Sequence, residues 1–341
     1  MIMTKIFLKF FGLVFVMFAL FIGKYSVVKA DTIDDVYKKA KPEGGKLVFY
    51  GVLAQINAAK LIPIFEKRFP GIKVDHVDAT SDKLVARAVT EARGGRTLGD
   101  VFSTPLENVV QMWDQGLLLE KIPPEAAAFS ERLKGSYWVG TEYQFIVPAW
   151  NTTLVKKGEE PKQFEDFTDP KWKNKLIAEP RDVELLIALA RDKYKDDKKA
   201  IDIVKKIAAN NVEFHNGHSE LAELLLAGQA AACVTCYSHH YPPRIKKGAP
   251  VNYMLTEGIG TIVGTSVFKN APHPNTAWLW MRWAHSEEGQ KAYAESGRTP
   301  AHPKVEPIEK TRPEKIYPIG VAEIKEFPKY EKIWKEIFRL R

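Results

Sequence analysis

Residues 230–243 concentrate side chains that can bind metals, anions or protons. An apolar run enters this stretch and two prolines end it, which is typical of a strand whose last residues open into a cleft. Both cysteines of the chain and two of its eight histidines lie here. The groups concerned are Cys233, Cys236, Tyr237, His239, His240 and Tyr241. We therefore expect this stretch to contribute to a ligand site.

Three interpretations fit the tyrosines and histidines of this stretch. They can bind a metal, since imidazole suits zinc, copper, nickel or iron. Tyr237 and His239 are the first candidates for metal ligands, because alternation can put both on one face. With Tyr241 they can instead hold an organic or phosphorus-containing anion through hydrogen bonds. A paired histidine beside two prolines can also be a structural polar cap. If the strand continues, at most one of His239 and His240 faces the cleft.

The two cysteines form a Cys-x-x-Cys pattern. Redox use of this pattern usually requires a thiolate at a helix N-terminus, whereas this segment is predicted to be a strand. Residues i and i+3 of a regular strand face opposite sides, so Cys233 and Cys236 are expected to be buried core residues that do not form a disulfide easily. If the segment were a loop, a secreted metal- or thiol-dependent enzyme using Cys236, His239 and His240 would be the alternative function.

The start of the chain indicates export. A basic N-terminus and an apolar run precede Val28 and Ala30, so we expect a signal peptide over residues 1–30 that is cleaved near Ala30. An uncleaved anchor is the alternative, although the run is short for a membrane span. Residues 1–30 hold four of the 50 basic residues and none of the 42 acidic ones, which leaves a net charge of +4. Because the charges are mixed along the chain, no nucleic-acid partner is expected.

The pattern of elements predicts an α/β fold. Strand patterns at residues 46–50, 72–77 and 100–102 alternate with helical patterns, and this order predicts parallel strands with right-handed crossovers. The alternation restarts after Trp150. Residues 31–341 exceed what one hydrophobic core usually covers, so two lobes are expected.

Segments spread over nearly the whole mature chain resemble, in order, the extracellular solute-binding proteins of ABC importers, and specifically their ferric-iron branch. These segments are residues 47–51, 69–74, 100–102, 169–175, 270–275, 286–290 and 297–300. The resemblance implies a periplasmic binding protein-like fold of type II, in which two doubly wound α/β lobes are joined by crossing hinge strands. A solute would be captured between the lobes by hinge closure.

The resemblance also implies an organisation of the chain. The expected parts are a first lobe of residues 31–142 and about 260–305, a second lobe of residues 143–259, and a C-terminal helical tail of residues 306–341 that packs on the lobes. The crossings are expected near residues 142–147 and 255–263. Glu142 and Tyr143 lie beside this hinge and are candidates to contact the ligand. Such a protein is periplasmic, monomeric and not an enzyme, and its partners are the permease subunits of an ABC importer.

Ferric members of the family bind iron through adjacent tyrosines of the second lobe and through a histidine and a carboxylate of the first lobe. In this sequence Ser238 and His239 occupy the tyrosine positions. Ala54 occupies the position of the histidine, and Pro105 that of the carboxylate. The ordinary ferric site is therefore missing. The expected solute is an iron(III) complex or a small organic or phosphorus-containing anion, and iron(III) is the one metal that the resemblance suggests.

Further candidates for ligand contact lie where strands end and helices begin. Gln55 follows the first strand, at the place where cleft residues of α/β lobes usually sit. Thr80 and Ser81 open a helix whose backbone N–H groups suit an anion. Arg181 precedes another helix start, and its guanidinium can hold a carboxylate or phosphate with two hydrogen bonds.

Overall fold

The structure, a computed structural model, describes residues 31–340, and the expected signal peptide lies outside these residues. The strands are β1 (Lys46–Gly51), β2 (Lys73–Asp78), β3 (Val101–Pro105), β4 (Val139–Asn151), β5 (Leu176–Ala178), β6 (Glu213–Phe214), β7 (Ala232–Tyr237), β8 (Val251–Tyr253), β9 (Glu257–Val267), β10 (Thr299–Pro300) and β11 (Lys315–Pro318). The helices are α1 (Ile33–Ala40), α2 (Gln55–Arg68), α3 (Ser81–Arg93), α4 (Leu106–Asp114), α5 (Glu184–Ala188), α6 (Asp197–Ala208), α7 (His218–Leu226), α8 (Pro242–Ile245), α9 (Pro274–His285), α10 (Glu287–Glu295), α11 (Val321–Ile324) and α12 (Phe327–Phe338). Within residues 31–340, no helix has the length and apolar character needed to cross a membrane.

One mixed sheet connects the strands in the order β2-β1-β3-β9-β4-β7-β5-β6. At one end β1 pairs in parallel with β2 and β3, and at the other end β5 pairs in parallel with β6 and β7. The two long strands β4 and β9 pair antiparallel in the middle. This confirms the predicted α/β fold of two doubly wound lobes joined by crossing strands. The residue ranges expected for each lobe remain a prediction.

Helix α9 fills the core beneath the first-lobe strands, although it comes late in the chain. Its Trp280 lies 4.9 Å from Phe49 of β1 and 4.8 Å from Phe65 of α2, measured between ring centroids. Trp283 also contacts Phe65, at 5.1 Å. These rings are fully buried, and aromatic pairs at such separations contribute beyond the area that they bury. The late segment is therefore an integral part of the first lobe.

The C-terminal helix α12 supports the cleft side of the second lobe. Its Trp334 is buried, and the indole Nε1 donates a hydrogen bond to the Pro180 carbonyl oxygen at 2.9 Å. Pro180 lies between strand β5 and helix α5, directly before Arg181. The helix thus fixes the loop that carries one of the predicted ligand contacts.

The expectation that Cys233 and Cys236 do not bridge is wrong. They form a disulfide with a Cα–Cα distance of 6.1 Å. Val147 and Ala149 of β4, two residues apart, pair with Cys236 and Cys233, three residues apart, so β7 contains one additional residue. Such a bulge breaks the alternation of side chains and allows both cysteines to reach the same side. Both side chains are buried in the second-lobe core.

We predict that the purified mature protein contains no free thiol. Titration with a thiol reagent in guanidinium chloride without reductant should give no reaction, and two thiols per chain should appear after reduction. Because the disulfide closes a very short loop, the double variant C233A/C236A should lose only about 2 kcal/mol of unfolding free energy. Two reactive thiols in the unreduced protein would contradict the disulfide.

Candidate ligand-binding cleft

A cleft of about 850 Å³ lies between the two lobes. The first lobe lines it with the segments that follow β1, β2 and β3, and the second lobe lines it with the segments that follow β5, β6 and β7. In parallel α/β sheets these carboxyl ends of strands are where ligands bind. The cleft therefore lies where both lobes can contact one small molecule.

The structure brings most of the predicted contact residues together in this cleft. Those that line it are Gln55, Thr80, Ser81, Arg181, Tyr237 and His239. Tyr241 does not line it, because this residue lies past the end of β7 and is buried in the second-lobe core, 5.6 Å from the Tyr253 ring. Its hydroxyl has no hydrogen-bond partner within residues 31–340.

The two hinge candidates lie on opposite faces of β4. Glu142 and Gln144 are both buried, and Gln144 lines the cleft. Tyr143 does not line the cleft and stacks on Phe145 of the other face, with 5.9 Å between ring centroids. Alternation along the strand accounts for this separation, since residues i and i+2 share a face.

His239 and His240 both line the cleft, so the expectation that at most one of them does so is wrong. Strand β7 ends at Tyr237, and Ser238–His240 form a turn of 3₁₀ helix. Alternation does not apply in such a turn. The two histidine rings lie side by side with 4.5 Å between their centroids.

The phenol of Tyr237 and the rings of His239 and His240 are electrically neutral near pH 7. His218 stacks on Tyr237 with 3.6 Å between ring centroids. Burial, together with the charge of Asp182, raises the pKa of the Tyr237 phenol well above its usual value. Burial lowers the pKa of His239 and His240 well below the usual range, helped by nearby Arg298 and Arg244. A phenolate for binding iron is therefore disfavoured in the unliganded cleft.

A buried ion pair lies at the hinge. Arg298, which immediately precedes β10, donates to the two carboxylate oxygens of Glu142 at 2.6 and 2.5 Å. Its third nitrogen donates to His239 Nε2 at 2.5 Å, which places the ring proton of His239 on Nδ1. Both charged side chains are almost fully buried. Glu142, one of the predicted ligand contacts, thus positions Arg298 at the cleft.

A second arginine crosses from one lobe to the other. The buried Glu179 accepts two hydrogen bonds from Arg181, at 2.9 and 2.6 Å, and one from the Gly217 N–H at 2.8 Å. The remaining nitrogen of Arg181 donates to Asp82 of α3 at 2.7 Å. Since α3 belongs to the first-lobe side of the sheet, this contact joins the two lobes. No pattern in the sequence indicates the contact with Asp82.

The cleft also contains carboxyl groups that were not predicted as ligand contacts. They include Glu107 at the start of α4, Asp182 between β5 and α5, and Glu184 at the start of α5. Burial raises the pKa of Glu107 to about 7. Burial and the charges of Glu107 and Asp182 raise the pKa of Glu184 well above its ordinary value. Their only signal in the sequence is an acidic residue just after a strand, at or near a helix start.

The donors needed for a bare metal ion are not assembled in the described cleft. Within residues 31–340 no group of three His, Cys, Asp or Glu side chains is arranged to hold a metal ion. Ala54 and Pro105, at the positions where the resemblance places a histidine and a carboxylate, both line the cleft. Their backbone positions face the ligand space, but their side chains supply no donor.

The sequence model of the family described as bacterial extracellular solute-binding protein matches residues 60–316. The chain belongs to this family. The solute-binding function in an ABC transporter and the type II periplasmic binding protein fold, both implied by the resemblance, are thereby confirmed. Proteins of this family work with ABC permeases and bind small ligands.

Three similar proteins place this family member among relatives with different ligands. The major ferric iron-binding protein of Neisseria meningitidis serogroup B is 25% identical over 292 residues, covering 78% of this chain and 86% of that protein. Iron-bound HitA from Pseudomonas aeruginosa is similar in structure, with a TM-score of 0.71, 20% identity, and coverage of 86% and 99%. AfuA from Actinobacillus pleuropneumoniae, with exogenous fructose-6-phosphate bound, has a TM-score of 0.69, 21% identity, and coverage of 86% and 97%.

We predict that removing one partner of the hinge ion pair destabilises the protein more than removing both charges. The variant R298M leaves the buried Glu142 carboxylate without a partner and should lose about 3–5 kcal/mol of unfolding free energy. The double variant E142Q/R298M should recover a large part of this loss. Urea unfolding at pH 7 without added solute measures both.

The exposed pair of Lys291 with Glu287 in α10 provides the control. The variant K291M should change the unfolding free energy by less than about 1 kcal/mol, as is usual for exposed pairs. Equal losses in R298M and the double variant would show that the charge of Glu142 is not the cause.

Proposed function

We propose that the protein is the periplasmic receptor of an ABC importer and captures a metal-free small organic solute with an anionic group. It works as a monomer, closes its lobes over the solute and presents it to the permease subunits, without catalysing a reaction. The observation that carries this proposal is the cleft lined from both lobes, with the lobes already joined by Arg181 and Asp82. Hinge closure of this kind buries a ligand between lobes.

The first-lobe wall supports an anionic group on the solute. Helix α2 begins at the cleft with no acidic residue in its first turn, and Ala54 supplies no side-chain cap. Its first backbone N–H groups and the Gln55 side chain are therefore available to an anion. Thr80 and Ser81 add hydroxyl groups beside them at the start of α3.

The absence of an enzymatic role is part of this proposal. In the disulfide, Cys236 has no thiolate to act as a nucleophile or metal ligand. His239 is held by Arg298 rather than by a carboxylate that would raise its basicity. These contacts favour a receptor over the thiol- or metal-dependent enzyme.

An iron(III) complex is the second candidate solute, favoured by the ferric iron-binding relative in Neisseria meningitidis. Iron would then enter with an organic anion that supplies the donors missing at Ala54 and Pro105. Tyr237 and His239 are the protein groups proposed to contact it.

A thermal-shift comparison of inorganic phosphate, fructose-6-phosphate, citrate and iron(III) citrate tests both candidates. A solute at 100 times its Kd should stabilise the protein by about 2.7 kcal/mol, a shift of several degrees in Tm. We expect a metal-free compound to give this shift and elemental analysis of the purified protein to find no stoichiometric iron. A shift with iron(III) citrate alone, with one iron per chain, would establish the iron complex instead. No shift with any of the four would count against an anionic solute.

We also predict that Asp82 slows solute release. The variant D82N removes the charge that pairs with Arg181 across the cleft. This ion pair is partly exposed, so it contributes at most about 1 kcal/mol, which corresponds to a dissociation rate about fivefold faster in the variant. Stopped-flow tryptophan fluorescence with the compound found by the thermal-shift comparison measures this rate. The control D34N removes an exposed Asp–Arg pair within the first lobe and should leave the dissociation rate unchanged. An unchanged rate in D82N would exclude a role of this contact in holding the closed state.

A further inference from the structure

The second-lobe wall of the cleft contains a buried carboxyl group with one oxygen that lacks a partner. Glu184 is only 7% exposed and lines the cleft. Its Oε2 has no hydrogen-bond partner within residues 31–340. Gln144 on the hinge strand β4 is 2% exposed, lines the same cleft, and has an unpartnered Oε1 in the same part of the chain. Two hydrogen-bond acceptors in the cleft are thus left for a donor from outside.

The arginines of the cleft do not balance this carboxylate, because each already has an acidic partner. Arg298 pairs with Glu142, and Arg244 pairs with Glu223 at 2.5 Å. Arg181 is bound by Glu179 and Asp82. Lys83 lies exposed at the first-lobe edge of the cleft.

Further acidic groups surround Glu184. Glu107 and Asp182 both lie close enough for their charges to raise its pKa. Asp182 has a hydrogen-bond partner in His218, whose Nε2 lies 3.0 Å from Oδ2. Glu107 accepts a hydrogen bond from the Asn108 amide at 2.7 Å, which carries no charge. The wall therefore has more negative than positive groups, contributed by both lobes.

We propose that Glu107, Asp182, Glu184 and Gln144 form a subsite for the ammonium group of the solute. The inference rests on the proposed receptor function and narrows it, because the solute would be a small organic zwitterion. Its anionic group would face the starts of α2 and α3, and its amine would face Glu184.

An ammonium group fits this wall better than a metal ion does. It offers three N–H donors, which match the free oxygens of Glu184 and Gln144 and a carboxylate oxygen of Glu107. Hydrogen bonds between charged groups are also the strong ones, and the side chains of Glu184 and Gln144 are themselves buried. Within residues 31–340 no three such side chains are placed to hold a metal ion.

The protonation of these carboxyl groups agrees with this proposal. Burial raises the pKa of Glu107 to about 7, and burial with the neighbouring charges raises that of Glu184 well above its ordinary value, so both groups can hold a proton near pH 7. A nearby ammonium group favours the ionised carboxylates and so takes the place of a bound proton as the balancing charge.

Isothermal titration calorimetry with matched compounds tests the subsite. The probes are 4-aminobutyrate, β-alanine, taurine and phosphoethanolamine, each paired with its analogue without the amine: butyrate, propionate, ethanesulfonate and ethyl phosphate. We expect at least one amine to bind more tightly than its partner by roughly tenfold or more, the size of a charge-assisted hydrogen bond. The variants E184Q and E107Q should each remove most of this preference.

The control is D192N, which neutralises another carboxylate with an unpartnered buried oxygen, outside the cleft. It should leave every affinity unchanged. Equal binding of amines and their analogues, no binding of any amine, or full affinity in E184Q would overturn the subsite. Because an anion without an amine can still bind and close the lobes, such a result would leave the receptor function standing. If neither set binds, the proposed anionic solute fails together with the subsite.

Discussion

The antiparallel pairing of β4 with β9 is the constraint on which the rest of the structure depends. Both strands belong to the single sheet that connects the lobes, so every element of one lobe is linked to the other through this pair. A bulge lies in β4 between Gly140 and Glu142. Beyond it, alternation turns Glu142 and Gln144 to the buried cleft side. The hinge is therefore also part of the ligand wall.

The buried charge of Glu142 then determines how the cleft is arranged. An isolated carboxylate at this depth would be costly, and Arg298 offsets the cost with two hydrogen bonds. Because its third nitrogen is directed at His239, the arginine fixes the ring and the tautomer of a second-lobe residue from the hinge. Arg298, His239 and β4 thus form one connected unit, and a change in lobe angle has to move them together.

The fold could be predicted from the sequence because it depends on patterns of many residues. Alternating strand and helix patterns and the ordered family segments gave the two-lobed α/β architecture, and residues such as Gln55 and Ser81 followed from their positions after strands. The pairing of Cys233 with Cys236 could not be predicted, since it depends on one additional residue in β7 that no local pattern marks. The prediction for His239 and His240 failed for a similar reason, because the strand ends at Tyr237, before either histidine.

The ion pairs at the cleft and the hinge could not be predicted from the sequence, because their partners lie far apart in the chain. Arg181 meets Asp82 over a separation of 99 residues, and Glu142 meets Arg298 over 156. Such pairs are set by how the lobes fold over each other, not by any local motif. The carboxyl groups near Glu184 were missed for the opposite reason, since acidic residues at helix starts usually only stabilise the helix.

The position of the cleft carboxylates suggests how one scaffold can change its solute. Ala54 and Pro105, at the positions where the resemblance places a histidine and a carboxylate, both line the cleft without a donor. Two residues after Pro105, Glu107 brings a carboxylate into the same space from the first turn of α4. There the surroundings favour a proton or a hydrogen-bond donor over a highly charged metal, because burial raises the pKa of Glu107 and the neighbouring phenol of Tyr237 stays neutral. In the proposed subsite, a carboxyl group two residues beyond Pro105 therefore serves an ammonium group, on the same first-lobe wall where the resemblance places a metal ligand.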